Sequence, residues 1–179
     1  MIPDEELYRR WLSGDEEGLR ALMERYGDRL TLYLDGYVRD LHEGEDLMIE
    51  AFAWIIAKRP AIRAGGFRAY LFQAGRRMAL RQAKKRRSRP CFSLEELERE
   101  PESALLVEEL AESAERARIL RRCMEELHGP YREALFLVYF EGLSHREAAA
   151  VLKKSEKQVA ELIYRGKNAL RKRLEEEGI

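Results

Sequence analysis

Residues 131–174 decide the fold of this chain: YREALFLVYFEGLSHREAAAVLKKSEKQVAELIYRGKNALRKRL. Ser144 is followed three residues later by Glu147, and Ser155 by Gln158, which is the spacing of a capping box at the start of a helix. The stretch therefore predicts two helices separated by a tight turn, after a first helix over residues 131–141. A long basic helix after such a turn is typical of a helix-turn-helix, whose second helix enters the DNA major groove.

The exposed positions of this second helix carry side chains that can reach DNA. Gln158 can pair with adenine and Glu161 can accept a hydrogen bond from cytosine N4, while lysines and arginines can reach phosphates or guanine. The alternative is an amphipathic helix of a small bundle with solvated charges, but caps, turn length and charge together favour DNA binding. The residues predicted to contact duplex DNA are Ser144, His145, Ser155, Lys157, Gln158, Glu161, Arg165 and Lys167.

Charge is distributed in blocks although the formal net charge of the 179 residues is zero. Residues 61–90 hold 10 basic side chains and no acidic ones, and residues 91–130 hold 11 acidic side chains against 5 basic ones. Solvated helix faces are the ordinary explanation of charge runs, but thirty residues without a carboxylate favour a second contact with a polyanion.

The remaining sequence also has helical periodicity, and 45% apolar content is ample for packed helical cores. It predicts a helix capped by Asp15 and a separate helix over residues 29–39. Prolines and a glutamate-rich run predict a flexible acidic linker at residues 89–104. The expected fold is all-α, with two small helical domains at residues 1–88 and 105–179, the second a helix-turn-helix domain.

The helix predicted over residues 67–87 places aromatic side chains between arginines. This pattern suits unstacked bases and a phosphate backbone. Phe67, Tyr70 and Leu71 also have the i, i+3, i+4 spacing of a core face, so base stacking stays open, whereas the arginines favour backbone binding.

Other classes of function are disfavoured. The sequence has no Gly-rich phosphate loop, no H-E-x-x-H motif and no nucleophile elbow, so an enzyme is not expected. Cys91 and Cys123 lack metal-ligand spacing, and neither a metal nor a cofactor is expected. Without a signal peptide or a long apolar run, the chain is expected to be soluble and cytoplasmic, with no membrane insertion.

Three motifs occur in a fixed order: EDLMIEAF at residues 45–52, FRAYL at residues 67–71 and PYREAL at residues 130–135. Together they resemble the bacterial sigma factors of the extracytoplasmic-function type, the small two-domain class, over nearly the whole chain. The resemblance implies a sigma domain 2-like N-terminal half and a sigma domain 4-like C-terminal half.

The resemblance also implies a mechanism. The chain would bind the β′ and β subunits of core RNA polymerase, read the −35 promoter duplex and hold the melted −10 strand, with an anti-sigma factor as a common partner in the family. The residues that the resemblance assigns to polymerase docking are Glu45, Asp46, Leu47, Ile49 and Glu50. Those assigned to −10 DNA are Lys58, Arg59, Arg63, Arg68, Tyr70, Arg76, Arg77, Arg81, Lys84 and Lys85.

The chain departs from the family pattern at several positions. Ile49 replaces the usual glutamine of the docking helix, Trp54 stands where a basic residue is common, and Arg77 replaces an asparagine. In the second helix of the helix-turn-helix, residues 160–162 replace the common Lys-Ser-Arg. Two alternatives therefore stay open: a sigma-like adaptor or decoy that does not initiate transcription, and an ordinary helix-turn-helix transcriptional regulator.

Overall fold

A computed structural model describes residues 1–85 and 114–178, and all regular elements in these two ranges are helical. The chain divides into two compact units, Met1–Cys91 and Phe92–Ile179. The all-α fold class is confirmed. The predicted linker at residues 89–104 and both predicted domain boundaries lie outside the described residues.

The N-terminal unit is a bundle whose helices are α1 (Asp4–Leu12), α2 (Glu16–Val38), α3 (Leu41–Lys58) and α4 (Phe67–Lys85). Asp15 caps α2 by accepting a hydrogen bond from the Glu17 N–H at 3.0 Å, and Asp40 caps α3 through the Glu43 N–H at 3.2 Å. These caps satisfy backbone donors that the first helical turn leaves unpaired.

The prediction of two separate helices over residues 16–39 is wrong, because α2 runs without a break. Its buried side chains include Leu22, Tyr26, Leu30 and Tyr33, which form one continuous apolar face across the expected boundary. Gly27 lies inside the helix and is buried. A glycine there costs about 1 kcal/mol relative to alanine. Breaking the helix would cost more free energy, because the apolar face would no longer be buried as one continuous surface.

The core of this unit forms where α2 crosses α3 and α4. Tyr33, Phe52 and Phe72 are fully buried, and the rings of Tyr33 and Phe72 lie 5.2 Å apart. Phe67 and Leu71 are also in the core, at 1% and 0% exposure. Phe67 and Leu71 therefore form part of a core face, as their i, i+4 spacing predicts, and their side chains are not available to stack on bases.

A polar cluster ties α1 to α2. The Tyr26 hydroxyl donates to Asp4 Oδ2 at 2.5 Å, and Arg25 forms an ion pair with the same carboxylate. Burial raises the pKa of Tyr26 well above 10, and the neighbouring Asp4 carboxylate raises it further. Tyr26 thus stays protonated in the folded chain at pH values where the unfolded chain ionises.

Tyr26→Phe is expected to destabilise the protein at pH 7 by about 1–2 kcal/mol, because Asp4 loses a donor. Above pH 10 the free energies of unfolding of the two proteins should converge. The unfolded wild-type chain releases the Tyr26 proton there, so the stabilisation that comes from the raised pKa is lost as pH rises. Urea unfolding at pH 7 to 11 measures both effects. Tyr164→Phe, at an exposed position, is the control, and a constant difference between Tyr26→Phe and wild type at every pH would contradict the assignment.

The described helices of the C-terminal unit are α5 (Ala114–Glu125), α6 (Gly129–Leu135), α7 (His145–Leu152) and α8 (Glu156–Glu176). The helix expected over residues 131–141 begins earlier, because Pro130 occupies a first-turn position that needs no N–H. It continues beyond α6 as a π-helical turn, Phe136–Phe140, in which the rings of Phe136 and Phe140 stack at 5.6 Å. Across the described residues, no helix combines the length and apolar character needed to span a bilayer.

Candidate nucleic-acid interface

The two predicted capping boxes are confirmed. The Ser144 hydroxyl accepts from the Glu147 N–H at 3.2 Å, while Glu147 accepts from the Ser144 N–H at 2.8 Å. At the second box, Ser155 accepts from the Gln158 N–H at 3.1 Å and Gln158 accepts from the Ser155 N–H at 2.9 Å. Each box satisfies two backbone donors and so fixes where α7 and α8 begin.

A tight turn sets the angle between α7 and α8. Lys153 ends α7 in the left-handed conformation, with φ of 54°, and the Lys154 N–H donates to the Ala149 carbonyl at 3.0 Å. Ala149 and Val151 of α7 are buried, as are Val159 and Ile163 of α8, whereas Leu162 is only half-buried. This small core turns the opposite face of α8 toward solvent.

Seven of the eight residues predicted to contact duplex DNA are open to solvent. Ser144, His145, Ser155, Lys157, Gln158, Glu161 and Arg165 are exposed. Lys167 differs, because it is half-buried and its Nζ lies 4.8 Å from the centre of the Tyr139 ring. A cation held over an aromatic ring is less available to a phosphate than a free lysine.

Two candidate base readers already have partners within the protein. The side-chain oxygen of Gln158 serves the capping box, and Glu161 pairs with Arg165 at 2.5 Å. Exposed ion pairs of this kind contribute less than about 1 kcal/mol, so DNA can displace the second contact at little cost. The side-chain oxygen of Gln158 accepts from the Ser155 N–H at the start of α8. A hydrogen bond from adenine to Gln158 must therefore share this oxygen with the capping box.

Tyr164 is a candidate that the sequence prediction missed. Its side chain is 69% exposed, which is unusual for an aromatic residue, and it stands one turn beyond Glu161 and next to Arg165. The signal was available in the sequence, because Tyr164 follows Lys157 at i+7 and so lies on the same face of α8. An exposed tyrosine there can pack on a thymine methyl group or donate to a phosphate.

The cations predicted to bind −10 DNA extend along α4. Arg77, Arg81, Lys84 and Lys85 are exposed. Arg76 is half-buried, and its Nε donates to the Tyr37 hydroxyl at 3.0 Å. Arg68 and Tyr70 are half-buried at the beginning of the helix, so Tyr70 is the aromatic of the FRAYL motif with surface left for a base.

Trp54 brings together two departures from the family pattern. Its ring lies 4.9 Å from the Arg77 guanidinium and 5.3 Å from Lys58 Nζ. The tryptophan of α3 and the arginine of α4 therefore lie close enough for the aromatic ring to attract the cation.

The loop between α3 and α4, residues 59–66, contains the other predicted −10 residues. Arg59 lies over the Trp11 ring at 5.5 Å, and exposed Arg63 lines a cavity of about 260 Å³ between this loop and α1. The loop thus faces the amino-terminal helix on one side.

The predicted docking residues separate into two groups. Glu45, Asp46, Ile49 and Glu50 are exposed on α3, and Ile49 at 55% exposure is an apolar side chain in contact with water. Leu47 is 2% exposed and belongs to the core. The burial of Leu47 argues against the predicted direct polymerase contact of this side chain, because it is not at the surface of this structure.

The described residues contain no group of three or more His, Cys, Asp or Glu side chains that could hold a metal ion. Cys123 is a buried free thiol. Burial raises its pKa, as do Glu177 and Glu126 nearby.

Comparison with known proteins finds one family model and one curated relative that resemble this chain. Residues 117–170 match the family model "Sigma-70, region 4". The ECF RNA polymerase sigma factor SigM of Bacillus subtilis is 25% identical over 150 residues, which cover 84% of this chain and 91% of SigM.

Two solved structures share the fold. CnrH, solved with the cytosolic domain of CnrY, superimposes with a TM-score of 0.62 at 23% identity, over 96% of this chain and 97% of CnrH. RpoE of Bartonella quintana, solved with the anti-sigma factor NepR, gives a TM-score of 0.64 at 17% identity, over 88% of this chain and 96% of RpoE. The region 4 match runs from α5 through α6 and α7 into α8 as far as residue 170, and the likeness to SigM extends over both units. The chain is thus similar over both units to an RNA polymerase sigma factor of the extracytoplasmic-function type, and residues 117–170 match sigma-70 region 4.

Proposed function

We propose that this protein is a transcription initiation factor that binds core RNA polymerase and directs it to promoters by reading −35 duplex and melted −10 DNA. The observation that carries the proposal is that each unit presents its own basic surface. One is the open face of α8, beside the helix-turn-helix turn. The other is the row of cations on α4. The protein acts by binding, in the cytoplasm, and no chemical step is assigned to its residues.

The −35 duplex is read by the open face of α8. Lys157 and Arg165 contact phosphates or guanine, and Tyr164 packs beside them. Ser144 and His145 at the start of α7, with Ser155 at the start of α8, lie where helix N-termini and hydroxyls meet the DNA backbone. These contacts orient the helix in the major groove.

The melted −10 strand is held by α4 and the loop before it. Extruding one base costs a few kcal/mol, and contacts with phosphates from Arg77, Arg81, Lys84 and Lys85 offset that cost. Tyr70 supplies an aromatic surface for an unstacked base. Arg59 and Arg63 lie in the loop, where they can approach the same strand.

Core polymerase is bound by the exposed side of α3, through Glu45, Asp46, Ile49 and Glu50. An apolar residue among carboxylates suits a protein partner better than DNA, because carboxylates repel phosphates. An anti-sigma factor is a further proposed partner, supported by the likeness to RpoE, which was solved with one.

The test is to mix the purified protein with sigma-free bacterial core polymerase and look for co-elution, then to map transcript 5′ ends from a genomic DNA library. Co-elution with start sites that share −35 and −10 motifs is expected. A folded protein that does not co-elute would overturn the proposal and favour a helix-turn-helix regulator. Co-elution without any transcript would favour the adaptor or decoy.

Ile49→Arg is expected to weaken polymerase binding by about tenfold or more, because it places a charge in the proposed protein contact. Met23→Arg is the matched control, since Met23 is an exposed apolar residue on α2, a helix to which no docking contact is assigned. Titration of labelled protein with core polymerase measures both. Equal affinities for the two variants would remove Ile49 from the interface.

Glu161→Gln is expected to tighten binding to duplex DNA of random sequence about threefold. The substitution removes a negative charge from the DNA-facing side and releases Arg165 from its ion pair. Fluorescence anisotropy at several salt concentrations measures the affinity. Glu176→Gln, at the far end of α8, should leave it unchanged, and an unaltered affinity for Glu161→Gln would place that carboxylate away from the DNA.

A further inference from the structure

The loop at residues 59–66 has no regular secondary structure, so side chains and turns must set its shape. Arg59 has a φ of 43° and Gly65 a φ of 73°, both in the left-handed region. The Gly66 N–H donates to the Arg63 carbonyl at 2.9 Å and closes a turn. Beyond this turn, the loop needs contacts from elsewhere in the unit to hold one conformation.

Helix α1 supplies contacts at both ends of the loop. The Tyr8 hydroxyl donates to the Pro60 carbonyl at 2.8 Å, and Glu5 accepts a hydrogen bond from the Gly65 N–H. Glu5 and Tyr8 are three residues apart, so they lie on one face of α1. The first contact holds the loop where it leaves α3, and the second holds it just before α4.

A surface cleft of about 260 Å³ lies between the loop and α1, lined by Arg9, Leu12, Ile62 and Arg63 among others. Glu5 and Tyr8 also line this cleft, so their hydrogen bonds join α1 to the loop across it. These polar contacts at the two ends of the loop therefore help to set its geometry.

Helix α1 is itself firmly held. Leu7, Tyr8 and Trp11 are buried, and the rings of Tyr8 and Phe67 lie 5.4 Å apart. Helix α1 is therefore held in place by side chains in the core of the unit, and the loop is attached to this helix.

We propose that Glu5 and Tyr8 are positioning residues for −10 recognition, which fix the conformation of the loop that carries Arg59 and Arg63. This inference rests on the proposed function. Neither side chain is assigned a contact with DNA. They act through the loop, so their loss should relax which bases are preferred while leaving phosphate binding by α4 in place.

The experiment uses the full chain bound to core polymerase and selects single-stranded oligonucleotides with a randomised −10 segment. Glu5→Ala removes the acceptor, Glu5→Gln keeps an amide oxygen in its place, and Tyr8→Phe removes the hydroxyl while keeping the ring. Glu6→Ala is the matched control. Glu6 is the next residue of α1 and pairs with Arg9 and Arg10 on the surface.

Glu5→Ala and Tyr8→Phe are expected to reduce the preference for the selected base about tenfold, with total single-strand affinity within about twofold of wild type. Glu5→Gln should restore most of the preference, and Glu6→Ala should match wild type. Thermal unfolding of each variant separates a loop effect from general destabilisation, because general destabilisation would lower the unfolding temperature together with the base preference.

Two failures have different meanings. If wild type selects a motif and both Glu5→Ala and Tyr8→Phe select the same motif with the same strength, this inference is overturned and the proposed function stands. If wild-type holoenzyme selects no motif, the proposed function fails and the inference fails with it.

Discussion

Gly18→Ala should destabilise the N-terminal unit by at least about 3 kcal/mol. A Cβ atom at this position would lie inside van der Waals contact with the Leu7 carbonyl oxygen and 2.9 Å from the Trp11 backbone nitrogen. Both obstacles are backbone atoms of α1, so no side-chain rotation can relieve the clash. The two helices must separate, and α1, which contacts the loop at residues 59–66, moves with them.

Urea unfolding followed by circular dichroism measures the loss. Gly27→Ala is the matched control, because it makes the same substitution in the same helix, where the nearest neighbour of the new Cβ is the Met48 side chain at 4.0 Å. That change should stabilise the protein by about 0.5–1 kcal/mol through helix propensity. Similar stabilities for the two variants would show that α1 is not packed against Gly18.

Val159→Asp is expected to unfold the helix-turn-helix, with a cost of at least about 3 kcal/mol. Val159 is 0% exposed at the start of α8, and the new carboxylate would be buried among the apolar residues that set the angle between α7 and α8. Binding to −35 duplex DNA should be lost with the fold of this unit.

Ala160→Asp is its control, because it adds the same charge one residue later at an exposed position. This variant should unfold at nearly the wild-type temperature while binding DNA more weakly, since a carboxylate then faces phosphates. Calorimetry distinguishes lost folding from lost binding. A native unfolding transition for Val159→Asp would contradict the burial of this position.

The helix-turn-helix could be predicted from the sequence because its determinants are local. A serine accepts from the backbone three residues on, and a glutamate or glutamine there returns the contact, so the spacing alone specifies where Ser144 and Ser155 start their helices. The exposed faces then follow from helical periodicity, which places Lys157, Glu161 and Arg165 on one side.

The rest depends on contacts between residues far apart in the sequence. Whether Gly27 breaks a helix is decided by how α2 packs, and no local pattern contains that information. Leu47 resembled a docking residue because its motif also includes exposed carboxylates, but its side chain is buried in the core. The contact between Trp54 and Arg77, and the attachment of the loop to Glu5, require the folded arrangement of four helices.

Cations lie beside both tryptophan rings of this protein, so the fluorescence of these rings depends on what the cations bind. The chain has two tryptophans, Trp11 and Trp54, and both lie in the N-terminal unit. Arg59 lies over the first, and Lys58 and Arg77 over the second, so each indole is in contact with a cation proposed to bind the melted strand. A strand that draws these cations to its phosphates changes the polarity around both rings. Tryptophan fluorescence is therefore expected to follow −10 engagement without a label, while events confined to the described C-terminal helices leave the tryptophan emission unchanged.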